Sequence, residues 1–301
     1  MRTLTTISPK SLIYRQAEHL SHPCRQLVAV IRLVWTGFFC VCASANAGAE
    51  AVPGGIHVAT LPAETRSASY QGHRVLILDG NAIVGIALNA MPGSHTLTVV
   101  DKHGHKSSQI FVVNAKQYSE QHLTIANPLM VNPAHTDLQR INAESARMRK
   151  GYLNFIGGNA DVRPLAKPIA GITSSPFGRR RILNGQPRNP HSGLDIAAAT
   201  GTPVEAPAPA SVTLTGDFYF NGNTIFLDHG QGLVTMYCHL SQINVSEGDS
   251  IARGDIIGLV GATGRATGPH LHWSVSLNGN RVDPVLAMTI LAAQPPSGTD
   301  D

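Results

Sequence analysis

Cysteine is nearly missing from this 301-residue chain. There are four, and Cys24, Cys40 and Cys42 all lie in the first 47 residues. Only Cys238 follows them, so a disulfide scaffold is excluded for the remainder. Charged residues are scarce at 14% and aromatics at 5%, which argues against a coiled coil or a charged helical bundle. A basic tract is missing too. Residues 1–47 hold Arg2, Lys10, Arg15, Arg25 and Arg32 against Glu18 alone, which leaves 18 bases and 18 acids in the rest. The net charge of +4 therefore belongs to the N-terminus, and nothing remains to grip a nucleic-acid backbone. No apolar run reaches the length of a membrane span. What is there is a 43% hydrophobic chain with 29 glycines and 19 prolines in no fixed period. That excludes disorder and collagen, and suits a β-rich, loop-rich protein.

The N-terminus reads as an address. Residues 33–43, LVWTGFFCVCA, form a short apolar run behind Arg25 and Arg32, and Ala45-Asn46-Ala47 follows as a small-x-small cleavage site. This describes a secretory signal peptide over residues 1–47. An uncleaved anchor is the alternative, and the leader is then the chain's one tie to a membrane. The long polar stretch ahead of the run fits either an extended leader or a later start. Phe38-Phe39-Cys40 is a poor acylation context, so no lipid anchor is expected.

Residues 51–130 alternate short apolar runs with turn signals. Val75-Leu76-Ile77-Leu78 runs into Asp79-Gly80-Asn81, His95 to Val100 alternates polar and apolar, and Lys102-His103-Gly104-His105 turns toward Ile110-Phe111-Val112-Val113. The spacing predicts a small antiparallel sandwich. His103 and His105 read as a solvated turn rather than a metal site, because a metal needs more than two ligands. Over residues 131–160 the period changes. Leu138, Ile141, Met148 and Tyr152 fall at helical spacing over 136–155, with Thr136 and Gln139 as a capping box. The stripe is narrow, so the helix should be partly buried, a connector that Gly157-Gly158 ends. Residues 165–290 return to strands, at 212–216, 223–228, 233–239, 256–260 and 270–277, with a turn at Asn278-Gly279-Asn280. The reading is a mainly β protein: an N-terminal sandwich-like domain, a connecting helix, a C-terminal antiparallel sheet with almost no helix, and a flexible tail over 291–301.

The chemistry gathers in the C-terminal domain. In His270-Leu271-His272-Trp273-Ser274-Val275, strand alternation puts His270, His272 and Ser274 on one face and the apolar residues on the other. In His191-Ser192-Gly193-Leu194-Asp195, a loop enters a strand, and the two end residues can return to one side. His191, Asp195 and one of His270/His272 give three nitrogen and oxygen ligands with a fourth place open, the pattern of a hydrolytic zinc site. His239 and the spare member of the pair can then act as acid or base. His229, in Asp228-His229-Gly230, reads as a hairpin corner outside the metal shell, and Cys238, in an apolar strand, as a core residue.

Residues 174–284 resemble the LytM/lysostaphin-type zinc endopeptidases that cut peptidoglycan. The stretches that carry the likeness are SSPFGRR (174–180), HSGLDIAAATGTPVEAPA (191–208), GNTIFLDHGQGLVTMYCHLS (222–241), GDIIGLVGATGRATGPHLHWSV (254–275) and DP (283–284). The resemblance implies an open antiparallel sheet with a groove over one Zn2+ held by His191, Asp195 and His272. It implies His239 and His270 as the catalytic pair. Every ligand position is filled, which favours an enzyme over the alternative of a non-catalytic relative that activates a cell-wall amidase. Residues 52–61, 72–78, 84–99 and 131–133 are similar to a domain found ahead of such peptidases in Gram-negative bacteria. The implied setting is the periplasm, the implied substrate D-Ala–diaminopimelate cross-links, and the implied partners are peptidoglycan and cell-wall or divisome proteins. The N-terminal domain and helix are expected to lie across the groove and restrain it.

Overall fold

The computed structural model describes residues 51–158 and 162–292. The signal peptide read over 1–47 and residues 293–301 of the tail lie outside the described residues.

Two small sheets build the N-terminal part. One orders Ile56–Thr60, Asn81–Gly85 and Leu76–Leu78; the other orders His73–Arg74, Thr65–Tyr70, Gly93–Asp101 and Lys106–Val113. Between them lies a core that includes Val84, Ile86, Tyr70, Leu97, Val99 and Phe111. All the pairings are antiparallel, as the turn signals predict. The run Ala82-Ile83-Val84 does not alternate because both its faces are covered. Ala82 and Val84 point into the sandwich, whereas Ile83, with Ile56 and Leu76, packs into the core of the C-terminal part.

That larger core lies beneath an eight-stranded sheet. The strand order is Ser250–Ile251, Ala210–Phe218, Gly222–Asp228, Leu233–Leu240, His270–Leu277, Leu194–Ala197 and Ile172–Ser175, with Asn280–Val282 paired onto His270–Leu277. Leu271, Trp273, Val275 and Leu277 all face the core and are fully buried. At roughly 1.5–3 kcal/mol per large apolar side chain, this face holds the His270–Leu277 strand in register.

The helix spans Leu138–Tyr152, inside the expected 136–155. Thr136 and Gln139 form no capping box. A 3-10 turn over His135–Asp137 leads in, and Asp137 occupies the cap position without a side-chain cap bond. The helix is more than a connector. Tyr152 stacks edge-on against Phe226 at 4.9 Å and donates to Met236 Sδ at 3.0 Å. Tyr152 and Met148 thereby cover the second face of the large sheet, over Phe218, Phe226, Val234 and Cys238. A second helix, Pro284–Ile290, was not anticipated, although its signal is present. Asp283 caps it by accepting from Val285 N, and Pro284 takes the first turn, where no amide hydrogen is needed.

Between sandwich and helix, Glu120–Leu123 pairs in parallel with Arg180–Leu183. This brings residues 120–125 to the Ile172–Ser175 strand at the edge of the large sheet, where Ser175 Oγ donates to Gln121 Oε1 at 3.0 Å.

Candidate metal centre

Asp195 and His272 are direct cross-strand partners, so their side chains leave the sheet on the same face. His191 arrives from the loop before the Leu194–Ala197 strand. The three converge: Asp195 Oδ1 lies 2.7 Å from His272 Nδ1 and 2.9 Å from His191 Nε2, and the two nitrogens are 3.1 Å apart. All three residues are buried. Gly193 permits this approach. A Cβ there would come within 2.6 Å of Trp273 O and 2.7 Å of the His272 ring.

The far nitrogen of each ring decides which nitrogen is bare. His191 Nδ1 lies 2.8 Å from Pro176 O, which can only accept, so the proton sits on Nδ1. Ser274 Oγ donates to Ser192 O at 2.9 Å and therefore accepts from His272 Nε2–H at 3.1 Å. His191 Nε2, His272 Nδ1 and Asp195 Oδ1 then present three lone pairs to one point. A tetrahedral zinc with bonds of about 2.0–2.1 Å holds its ligand atoms roughly 3.3 Å apart, so the donor set and spacing fit a small divalent cation. Arg181 Nη2 takes the other carboxylate oxygen, Oδ2, at 3.1 Å. Without a cation, burial pushes the Asp195 carboxyl upward, but protons that the His191 and His272 rings turn toward it outweigh burial and hold the pKa well below the usual range; a bound cation takes the place of those protons. Burial lowers the His272 pKa to about 4, against the raising effect of Asp195.

His239 and His270 border this centre. His239 Nδ1–H donates to Thr263 O at 2.8 Å, and His270 Nδ1–H to Gly268 O at 2.8 Å. Both Nε2 atoms are thus left without a backbone partner. His270 Nε2 is 3.9 Å from Asp195 Oδ1, and the His239 ring lies 4.8 Å from that of His270 and 6.1 Å from that of His272. Burial, with the neighbouring His272 and His270, brings the His239 pKa down to about 3.

Alternation alone misplaces His239. Cys238 pairs with His272 and shares its face, so the next residue should follow Tyr237 into the core. The register slips between Asn223 and Ile225, and His239 takes a left-handed backbone at φ 63°. That bulge turns the ring back to the metal side. A non-glycine residue there costs about 1 kcal/mol or more, strain of the kind found at functional sites.

Each of the five residues read from the sequence therefore lies at one place. The residues left out are also accounted for. His229 is buried, bonded to Pro209 O at 2.9 Å and Thr235 Oγ1 at 2.8 Å. Cys238 is buried, and burial pushes its thiol up to about 12. His105 is exposed on its turn and pairs with Asp101 at 3.0 Å. Arg181, Ser274 and Arg265 went unassigned. Alternation puts Ser274 on the histidine face, and Arg265 sits within the TGRATGPHLH stretch, but only the contacts give them roles.

Two cavities flank the centre, about 340 and 650 Å³ in volume, and His239, Arg181 and Arg265 line both. Gln121, Leu123 and Ile125 wall the smaller, beside Asp195 and His270. Met148, Arg149 and Tyr152 of the first helix wall the larger.

Comparison with known proteins agrees with this geometry. Residues 189–284 match the family profile described as Peptidase family M23, and residues 49–142 the one described as Peptidase family M23 N-terminal domain. A crystal structure of a Pseudomonas aeruginosa chain assigned to peptidase M23 is similar at 42% identity and a TM-score of 0.68, covering 80% of this chain and 96% of that one. The DD-carboxypeptidase/endopeptidase Mpg of Neisseria meningitidis is 44% identical over 128 residues, 42% of this chain and 29% of its own. The peptidoglycan DD-endopeptidase ShyA of Vibrio cholerae is 40% identical over 124 residues, 41% of this chain and 29% of its own. The chain thus matches under a third of the length of these curated relatives.

Proposed function

The chain belongs to peptidase family M23, and on that footing we propose that it is a zinc-dependent endopeptidase that hydrolyses peptide cross-links of peptidoglycan, the D-Ala–diaminopimelate bond first among them. The observation that carries the reading is the meeting of His191 Nε2, Asp195 Oδ1 and His272 Nδ1 within 3.1 Å of one another, with each imidazole's other nitrogen committed elsewhere. The names of Mpg and ShyA support the substrate.

His191, Asp195 and His272 would hold a zinc ion, which when bound would supply Lewis-acid chemistry for hydrolysis. The chain's own groups do the rest. Arg181 on Asp195 Oδ2 and Ser274 on His272 Nε2 orient the ligands. His239 and His270, each anchored through Nδ1–H, turn Nε2 toward the reacting atoms. They take the proton from the attacking water, return one to the leaving nitrogen, and hydrogen-bond the oxygen as its charge develops. No side chain forms a covalent bond to substrate. Residues 121–125 and the first helix line the two cavities beside the centre, which supports a restrained groove. The reading places the chain's work in the periplasm, with the 1–47 leader as its route there.

The test is digestion of purified sacculi with product masses read by mass spectrometry. The reading expects cross-linked dimers to become monomers, and His270→Ala to abolish this. An unchanged product pattern with wild-type protein overturns it, as does full activity in His270→Ala.

A further inference from the structure

The larger cavity beside the centre has one-sided charge. Arg149, Arg181, Arg265 and Arg281 line it, and no Asp or Glu does. Arg181 is already engaged by Asp195. Arg265 is different. It is half-buried, lies at the junction of the two cavities next to His239, and makes no ion pair with a carboxylate among the described residues. Its guanidinium rests 4.6 Å over the Phe220 ring, and Nη1 donates to the backbone oxygen of Met130 at 3.2 Å. Burial, then Arg181 and Arg188 nearby, lower its pKa to about 10, so it stays charged among like charges. A half-buried cation lining open space, with a neutral carbonyl and an aromatic face as its contacts, suits an anion.

We propose that Arg265, with Arg149 and Arg281 across the same cavity, forms a subsite for the carboxylate carried by the residue on the amine side of the scissile bond. The proposal rests on the peptidase reading above and sharpens it. In a D-Ala–diaminopimelate cross-link, the carbon bearing the scissile nitrogen also bears a carboxylate. A guanidinium beside the metal centre is placed to read that group, through one or two charge-assisted hydrogen bonds. The carbonyl of Met130 gives way to a stronger acceptor. The site therefore selects peptides whose leaving residue is an α-amino acid with a free carboxylate, and discriminates against the amidated form and against a lysine-type link, whose amine carbon carries none.

The test uses a synthetic cross-linked peptide in two forms, with that carboxylate free or as the primary amide. Both are cut by the full chain and by Arg265→Gln and Arg265→Lys, and the acid-to-amide ratio of kcat/KM is taken within each preparation, so loss of folded protein cancels. The wild type is expected to prefer the acid by about tenfold or more, Arg265→Gln to bring the ratio toward one, and Arg265→Lys to keep part of it. Equal cleavage of both forms, a preference that survives in Arg265→Gln, or release from sacculi with neither peptide cut overturns the subsite and leaves the peptidase reading standing. Failure on both peptides and on sacculi overturns the peptidase reading itself.

Discussion

Gly193→Ala probes the site without touching a ligand. An added Cβ would stand 2.6 Å from Trp273 O and 2.7 Å from His272 Cε1 and Nε2, where ordinary contact begins at 3.4 Å. Something must yield by about 0.7 Å. Trp273 O belongs to a strand whose apolar face is fully buried, so the strand resists. The His272 ring can tilt, but only by weakening its bond to Ser274 and swinging Nδ1 away from Asp195 Oδ1. Overpacking of this kind costs about 1–3 kcal/mol of stability. A displacement approaching 1 Å at a ligand costs on the order of 10²-fold in turnover. The assay combines thermal melting, zinc competition against a chelator, and sacculus digestion. The expected result is weaker metal binding and a larger fractional loss of turnover than of folded protein. A variant with wild-type melting, affinity and rate refutes the claim that close approach of the His191–Asp195 segment to His272 builds the site.

Other outcomes follow from the same geometry. Arg181→Met frees Asp195 Oδ2 and should weaken metal binding by about 10–100-fold, read by chelator competition, with the fold intact by circular dichroism. His239→Ala and His270→Ala should each keep bound metal, by atomic absorption, while lowering turnover by about 10²–10⁴. His229, whose pKa burial depresses to about 4, binds a proton in the unfolded chain at higher pH than in the folded one. Its contribution is complete above pH 6.5 and is lost as pH falls toward 4, by about 3 kcal/mol in all. Denaturant melts of wild type and His229→Gln across pH 7 to 4 should therefore show the wild type falling more steeply.

Much of the site was legible because its residues obey strand alternation. His270, His272 and Ser274 share a face for the reason that Leu271, Trp273 and Val275 share the other, and the apolar face fixes the register. The fold's β content followed from turn residues between short apolar runs. His239 was legible as a residue but not as a placement, since only a bulge with a left-handed backbone turns it out of the core. The first helix read as a connector because its stripe is narrow; its few apolar residues cover a sheet face that alternation had already made apolar. The packing that joins the N-terminal part to the large sheet is not encoded in any local pattern. Ile56, Leu76 and Ile83 complete the core under the large sheet, so a chain trimmed to residues 160–301 would expose that core. Gln121 reaches Ser175 Oγ at 3.0 Å through a parallel pairing between segments some 60 residues apart, a contact no local pattern encodes.

The most direct test is the metal content of the freshly purified chain beside its His272→Ala variant, measured by inductively coupled plasma mass spectrometry. The expected result is about one zinc per wild-type chain and a large loss in the variant, with both proteins folded. A folded wild-type chain without zinc even after incubation with it, or a variant that retains the full complement, contradicts a metal centre at His191, Asp195 and His272.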